Sequence, residues 1–299
     1  MNLKTTIVAL ILAACQTTWA ANPVKVQHQG NSKYLITSGN LSMVIDGGAG
    51  GKILSFKHKK KEVLSQSKDD DTYGSTFWTS PQKEWNWPPI EELDKESYVC
   101  EQRPTSLYMT SQASAKHKWA VCKEFAVDST DNSFVITYSI INVSFEPRSV
   151  APWEVTRVPN QNGLIFFDTE ANSITPSDLI PFKQEFNALW YQTDVNKEDR
   201  KVMIDGKGWI AYACNGLLLI KQFDDITKQQ TAPGEAEIEL YVNNGKTYID
   251  LECQGIYKSI MPGQQLNWTV RWYLVPYDKK KTKPSAELIE TVLKTIKKK

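Results

Sequence analysis

The stretch Glu235-Ala-Glu-Ile-Glu-Leu-Tyr-Val242, followed by Asn243-Asn-Gly-Lys246 and Thr247-Tyr-Ile-Asp-Leu-Glu-Cys253, alternates polar and apolar side chains on both sides of an Asn-Gly pair. Alternation with period two is the signature of a half-buried strand, and Asn-Gly between two such runs predicts a hairpin with a two-residue turn. That turn sets Asn243 opposite Lys246. Ile238 then faces Leu251 and Leu240 faces Ile249 on an apolar face, while Tyr241–Tyr248, Glu239–Asp250 and Glu237–Glu252 pair on the other. Like charges directly opposite destabilise a sheet. Four explanations are open: neutralisation by Arg157, Lys221 or Arg271; a carboxyl kept protonated and suited to acid–base work; a bound Ca²⁺; or a solvated acidic face that tolerates its repulsion.

Outward from the hairpin, short apolar-rich runs bounded by turn residues continue through the chain. Residues 34–37, 41–45, 53–57, 106–111, 118–127, 134–141, 164–167, 208–214 and 217–223 read as strands. Gly47-Gly48-Ala49-Gly50-Gly51 reads as a turn; it lacks the spacing and βαβ context of a dinucleotide loop. Residues 69–89 hold Tyr73, Phe77, Trp78, Trp85 and Trp87 among three prolines and read as a long aromatic loop, a common location for function. Residues 168–205 read as irregular and polar. No repeat or linker divides the chain, which predicts one all-β domain over 31–278.

The ends differ. Met1–Lys4 is short and basic, and Thr5–Ala14 is apolar. The run is shorter than the roughly 20 residues a spanning helix needs and fits a signal peptide over 1–14. Leu12-Ala13-Ala14-Cys15 resembles a bacterial lipobox, so Cys15 is the expected lipidation site, with 15–30 as a tether and the protein held at the periplasmic or outer membrane by its acyl chains. Cleavage after Ala20, giving a soluble exported protein, is the alternative. Near the other end, Ser285 offers an N-cap, and Leu288, Val292 and Ile296 form one stripe of an amphipathic helix over 284–299 that ends in three lysines.

Charge is balanced, with 35 Lys+Arg against 34 Asp+Glu, which gives no electrostatic footprint for nucleic acid. Cys100, Cys122, Cys214 and Cys253 allow two disulfides in an oxidising compartment but equally suit buried thiols. Without a CxxC, a structural zinc site is not expected. Ten Trp, twelve Tyr and ten Phe supply core burial first; Trp85 and Trp87, in a polar Pro-flanked loop, are the better surface candidates, and Trp78 and Trp272 read as core.

Several short motifs occur in an order that resembles the galactose mutarotase-like superfamily. They are Gly51-Lys52-Ile53-Leu54-Ser55-Phe56 with Lys61-Glu62-Val63-Leu64, Asn142-Val143-Ser144 with Pro147, and 248–257 with Pro262-Gly263. The 78–89 loop, Ala151-Pro152-Trp153-Glu154-Val155-Thr156-Arg157 and 268–274 are similar to an uncharacterised bacterial family within it. The resemblance implies a β-supersandwich with a concave, sugar-binding sheet face. In aldose 1-epimerases a late-strand Glu acts as base and a central-strand His as acid. By motif position the Glu is Glu252. No His stands near 153–157; His28, His58 and His117 lie elsewhere.

That departure favours a carbohydrate-binding protein, with Trp85, Trp87 and Trp153 stacking on the ligand and Arg157, Glu252, Lys221, Asp250 and Arg271 as polar contacts. The alternative is a carbohydrate-active enzyme with Glu252 as base and Glu154 or Glu237 as acid. A structural envelope protein is the third reading. In a strand Glu154 points opposite to Trp153 and Arg157, so either that pair or Glu154 lines the cleft.

Overall fold

The computed structural model describes residues 22–67, 73–169, 173–194 and 196–296. The lipobox with Cys15, and the three terminal lysines, lie outside the described residues. Two large, mostly antiparallel sheets face each other. The first runs, edge to edge, Val24–His28, Lys33–Ser38, Leu41–Asp46, Lys52–His58, Ser75–Ser80, Arg148–Pro159, Tyr248–Gln254, Ile238–Val242, Arg200–Ile204, Ile174–Thr175. The second runs Lys183–Glu185, Ala188–Gln192, Leu164–Phe167, Trp209–Cys214, Leu217–Gln222, Gln265–Pro276, Ser133–Asn142, Trp119–Asp128, Ser106–Thr110, Val99–Gln102. The fold is the expected all-β sandwich with one C-terminal helix, Ala286–Ile296.

Three segments depart from expectation. Val24–His28 pairs with Lys33–Ser38, so the stretch read as tether already supplies an edge strand. Ser75–Ser80 is a central strand rather than loop. All six of its residues are buried, because neighbours cover both faces, and that erases the polar alternation by which strands are read. Within 168–205, Ile174–Thr175, Lys183–Glu185, Ala188–Gln192 and Arg200–Ile204 are also strands, the last pairing with Ile238–Val242. The four cysteines 100, 122, 214 and 253 are free thiols.

The core lies between the sheets. Phe77 stacks on Tyr138 with centroids 4.2 Å apart, and Phe56 packs edge-on against Phe134 and Trp272. An ion pair sits in the same layer: Lys221 Nζ is 3.0 Å from Glu154 Oε1, both side chains fully buried. Its remaining valences are filled. Tyr138 Oη donates to Glu154 Oε2 at 2.6 Å, Trp272 Nε1 donates to Oε1 at 3.0 Å, and Lys221 Nζ donates to Thr156 Oγ1 and Leu251 O. Glu154 and Lys221 therefore join the two sheets and do not line a cleft.

The second sheet's outer face is covered in part by the helix. Leu288 and Val292 of the helix bury against Phe166, Trp190, Trp209 and Ile220. Arg271 points outward from this sheet and pairs with Asp128 at 3.0 Å, so it too is separate from the acidic hairpin.

Removing one partner of a buried, hydrogen-bonded ion pair costs about 3–5 kcal/mol, because the other charge stays buried. Lys221→Met is expected to lose stability of that order in urea unfolding, and adding Glu154→Gln to Lys221→Met to restore part of it.

Candidate ligand site on the outer face of the first sheet

Strand alternation decides which side chains share the outer face. Paired residues of neighbouring strands point the same way, and Trp153 aligns with Trp78 and Gln254, Val155 with Thr76 and Glu252, Arg157 with Asp250. Since Glu154 and Thr156 reach inward to Lys221, Trp153, Arg157, Asp250, Glu252 and Gln254 face out.

The hairpin register differs from the sequence expectation by two residues. Glu239 stands opposite Glu252 and Tyr241 opposite Asp250. A two-residue I′ turn needs positive φ at both central residues, and only Gly245 has it, at φ 73°. The connection is instead a longer turn around the short 3-10 segment Asn244–Lys246. It is held by Asp199, whose side chain accepts from Asn244 N, and by Asn196 O, which accepts from Gly245 N. A slip of two preserves the face, so the acids remain together.

Their neutralising cation is Lys201, from the strand that was read as irregular. Its Nζ lies 2.6 Å from Glu239 Oε2 and 3.5 Å from Glu252 Oε2, and 4.9 Å from the centre of the Trp153 ring. Val202 and Ile204 are fully buried beside outward Lys201 and Met203; that alternation was the legible signal. Gln254 Nε2 donates to Glu239 Oε1 at 2.8 Å and reaches Glu235 Oε2 at 3.4 Å. Glu235 Oε1 accepts from Gln82 N at 2.8 Å, which ties the aromatic loop to this end of the sheet. The result is one chain of contacts, Glu235–Gln254–Glu239–Lys201–Glu252. Asp250 is paired separately, Arg157 Nε lying 3.3 Å away without hydrogen-bond geometry.

Four carboxyl groups thus share two cations. Burial pushes Glu252 up to about 7, opposed by Lys201 and reinforced by Asp250. Burial and the neighbouring Glu239 push Glu235 up to about 7. Glu239 is raised as well, by burial and then Glu252. Burial acts to lower Lys201, but Glu252 and Glu239 outweigh it and hold the amine charged. Among the described residues no group of three His, Cys, Asp or Glu side chains is placed to hold a metal ion; the cation standing between Glu239 and Glu252, where Ca²⁺ was one expectation, is Lys201.

The tryptophans divide. Trp153 is fully buried and donates from Nε1 to Glu252 Oε2 at 3.0 Å. Trp85 is only 7% exposed, because its Nε1 donates to Thr79 O and its ring lies against Trp78 and Trp153. These two, expected to stack on a ligand, instead pack against each other, with Trp153 bonded to Glu252. Trp87, 59% exposed and edge-on to Trp78, is the open ring. Glu237 also leaves the group. It sits in the bend before Ile238, and its Oε1 accepts from Gly208 N at 2.7 Å.

Beside the acids a cavity of about 520 Å³ opens, lined by Thr175, Met203, Asp205, the 231–237 segment and both Glu235 and Glu237. That volume falls in the range of small-ligand sites, roughly 300–1,000 Å³.

No protein-family model matches the chain, and no curated protein matches it in sequence. Solved structures do match in fold. A galactose mutarotase-like protein from Lactobacillus casei ATCC 334 superposes with TM-score 0.59 at 11% identity, covering 81% of this chain and 100% of that one. A galactose mutarotase related enzyme from Lactobacillus acidophilus gives 0.54 at 11%, covering 82% and 98%. A galactose mutarotase-like protein from Clostridium acetobutylicum gives 0.53 at 10%, covering 86% and 99%. The chain therefore has the galactose mutarotase-like fold that its motifs imply.

A carboxyl raised on folding makes the native state bind more protons than the unfolded chain, so stability falls as pH rises. For Glu235 and Glu252 the window runs from the ordinary 4.5 to about 7. The melting temperature is expected to drop across it, and Glu235→Gln with Glu252→Gln to flatten that drop in a pH series of thermal melts.

Proposed function

We propose that the protein is an exported carbohydrate-binding protein, lipid-anchored through Cys15, whose sugar site is on the outer face of the first sheet. The observation that carries this reading is the cavity of about 520 Å³ opening beside the Glu235–Gln254–Glu239–Lys201–Glu252 chain. The C-terminal helix covers part of the opposite face of the sandwich. Hydroxylated ligands suit such a wall, since carboxylates and amides accept their protons while Met203 supplies an apolar floor. Trp87 adds an exposed ring for the flat face of a sugar or for a longer chain.

The second reading is an enzyme acting on a sugar. Two acids whose pKa values sit near neutrality, Glu252 and Glu235, suit proton transfer at physiological pH. None of the three histidines is among the described partners of these acids, so a histidine acid has no counterpart here. Burial of Glu252 beside Trp153, at 3% exposure, favours binding over chemistry at that carboxyl.

Titration of tryptophan fluorescence with neutral aldoses is expected to show saturable binding. Thr175→Trp, which puts an indole into the cavity and leaves the acids themselves unmutated, is expected to weaken that binding at least tenfold, about 1.4 kcal/mol. Anomer exchange followed by NMR is expected to run at the buffer rate. Acceleration that Glu252→Gln abolishes while sugar affinity stays intact would instead assign an enzyme.

A further inference from the structure

The cavity beside the acidic chain is lined by more acids than amines. Its titratable lining consists of Asp205, Glu235, Glu237 and Lys228, three acids against one amine. Lys228 is exposed, whereas Glu237 is fully buried. Glu237 is also incompletely satisfied. Its Oε1 accepts from Gly208 N, and Gly206 N lies close enough to lower its pKa, yet Oε2 has no hydrogen-bond partner. Leaving a buried acceptor unmet is unfavourable, and Glu237 belongs to the cavity lining, so its carboxyl marks a place where a donor would be accepted. Glu235, half-buried on the same lining, has Oε1 occupied by Gln82 N and Oε2 only weakly engaged by Gln254 at 3.4 Å.

In their charged forms both carboxyls lack a donor, and an ammonium group is what would stabilise that charge. A neutral hydroxyl supplies a donor alone; an ammonium supplies a donor and the opposite charge. Ser173 and Thr175 of the same lining offer hydroxyl groups for the rest of a polyol. We propose that this cavity takes an amino sugar, its protonated amine held by Glu237 and Glu235 and its hydroxyls by Ser173 and Thr175. The proposal rests on the carbohydrate reading and narrows its ligand class. Burial and the nearby Asp225 and Asp205 hold Glu237 up at about 8, and a bound ammonium would draw its proton off, which adds a signature that a neutral sugar lacks.

The test is calorimetric titration of the full chain with glucosamine, glucose, N-acetylglucosamine and glucuronate at one pH. Glucosamine is expected to bind at least tenfold more tightly than glucose, and glucuronate more weakly than glucose. Repeating the glucosamine titration in buffers of different ionisation enthalpy is expected to report proton release. Glu235→Gln should bring glucosamine down to the glucose level of the same variant. Glu237→Gln should do the same, and if that variant fails to fold, the half-buried Glu235 position still decides. Equal affinity for glucosamine, glucose and N-acetylglucosamine overturns the amino-sugar proposal while sparing carbohydrate binding. Absence of binding by all four sugars overturns both.

Discussion

The two-residue period of a β-strand governs this molecule. Along Arg148–Pro159 it sends Glu154 inward and Trp153 and Arg157 outward, and every later feature follows from that division. Inside, Glu154 meets Lys221 from the facing sheet, and Tyr138, Trp272 and Thr156 complete their hydrogen bonds. Outside, Trp153 caps Glu252 and Arg157 sits beside Asp250. A register slip of one residue would exchange these sets, placing an indole in the ionic layer and an unpaired carboxylate against the aromatic loop.

The outer face is unusual in what it buries. Glu239, Asp250 and Glu252 are each no more than 5% exposed, and Lys201 and Arg157 are the cations against them. Such a face is stabilised by pairing and by partial protonation, and it gives up stability when those protons are lost. Placing a destabilised polar group beside an open cavity is how binding sites differ from cores, because a ligand can provide the partner that the fold withholds. The aromatic loop strengthens the effect by excluding water from Glu252 and Trp153, which raises the weight of each charge.

The C-terminal helix has a complementary role. With Leu288 and Val292 it covers part of the second sheet's outer face, while the outer face of the first sheet holds the buried acids Glu239, Asp250 and Glu252. The balance of the whole chain, 35 basic against 34 acidic residues, conceals this local concentration of acids; composition averages over a surface that the fold makes uneven.

The hairpin acids, their common face, the all-β class, the terminal helix and the mutarotase-like fold could all be read from the sequence, because period-two and period-four patterns and ordered motifs are local properties of a chain. Three things required the tertiary structure. Lys201 became the partner of Glu239 and Glu252 only once a strand distant in sequence paired with the hairpin. Glu154 was turned from a candidate acid into an inter-sheet bond, since alternation says that two residues oppose each other but not which of them faces the core. Trp85 folded under cover while Trp87 stayed open, because the Trp85 indole N–H found Thr79 O within the fold. Patterns along the chain specify what a side chain is and which neighbours share its side; pairing between distant strands decides what it meets.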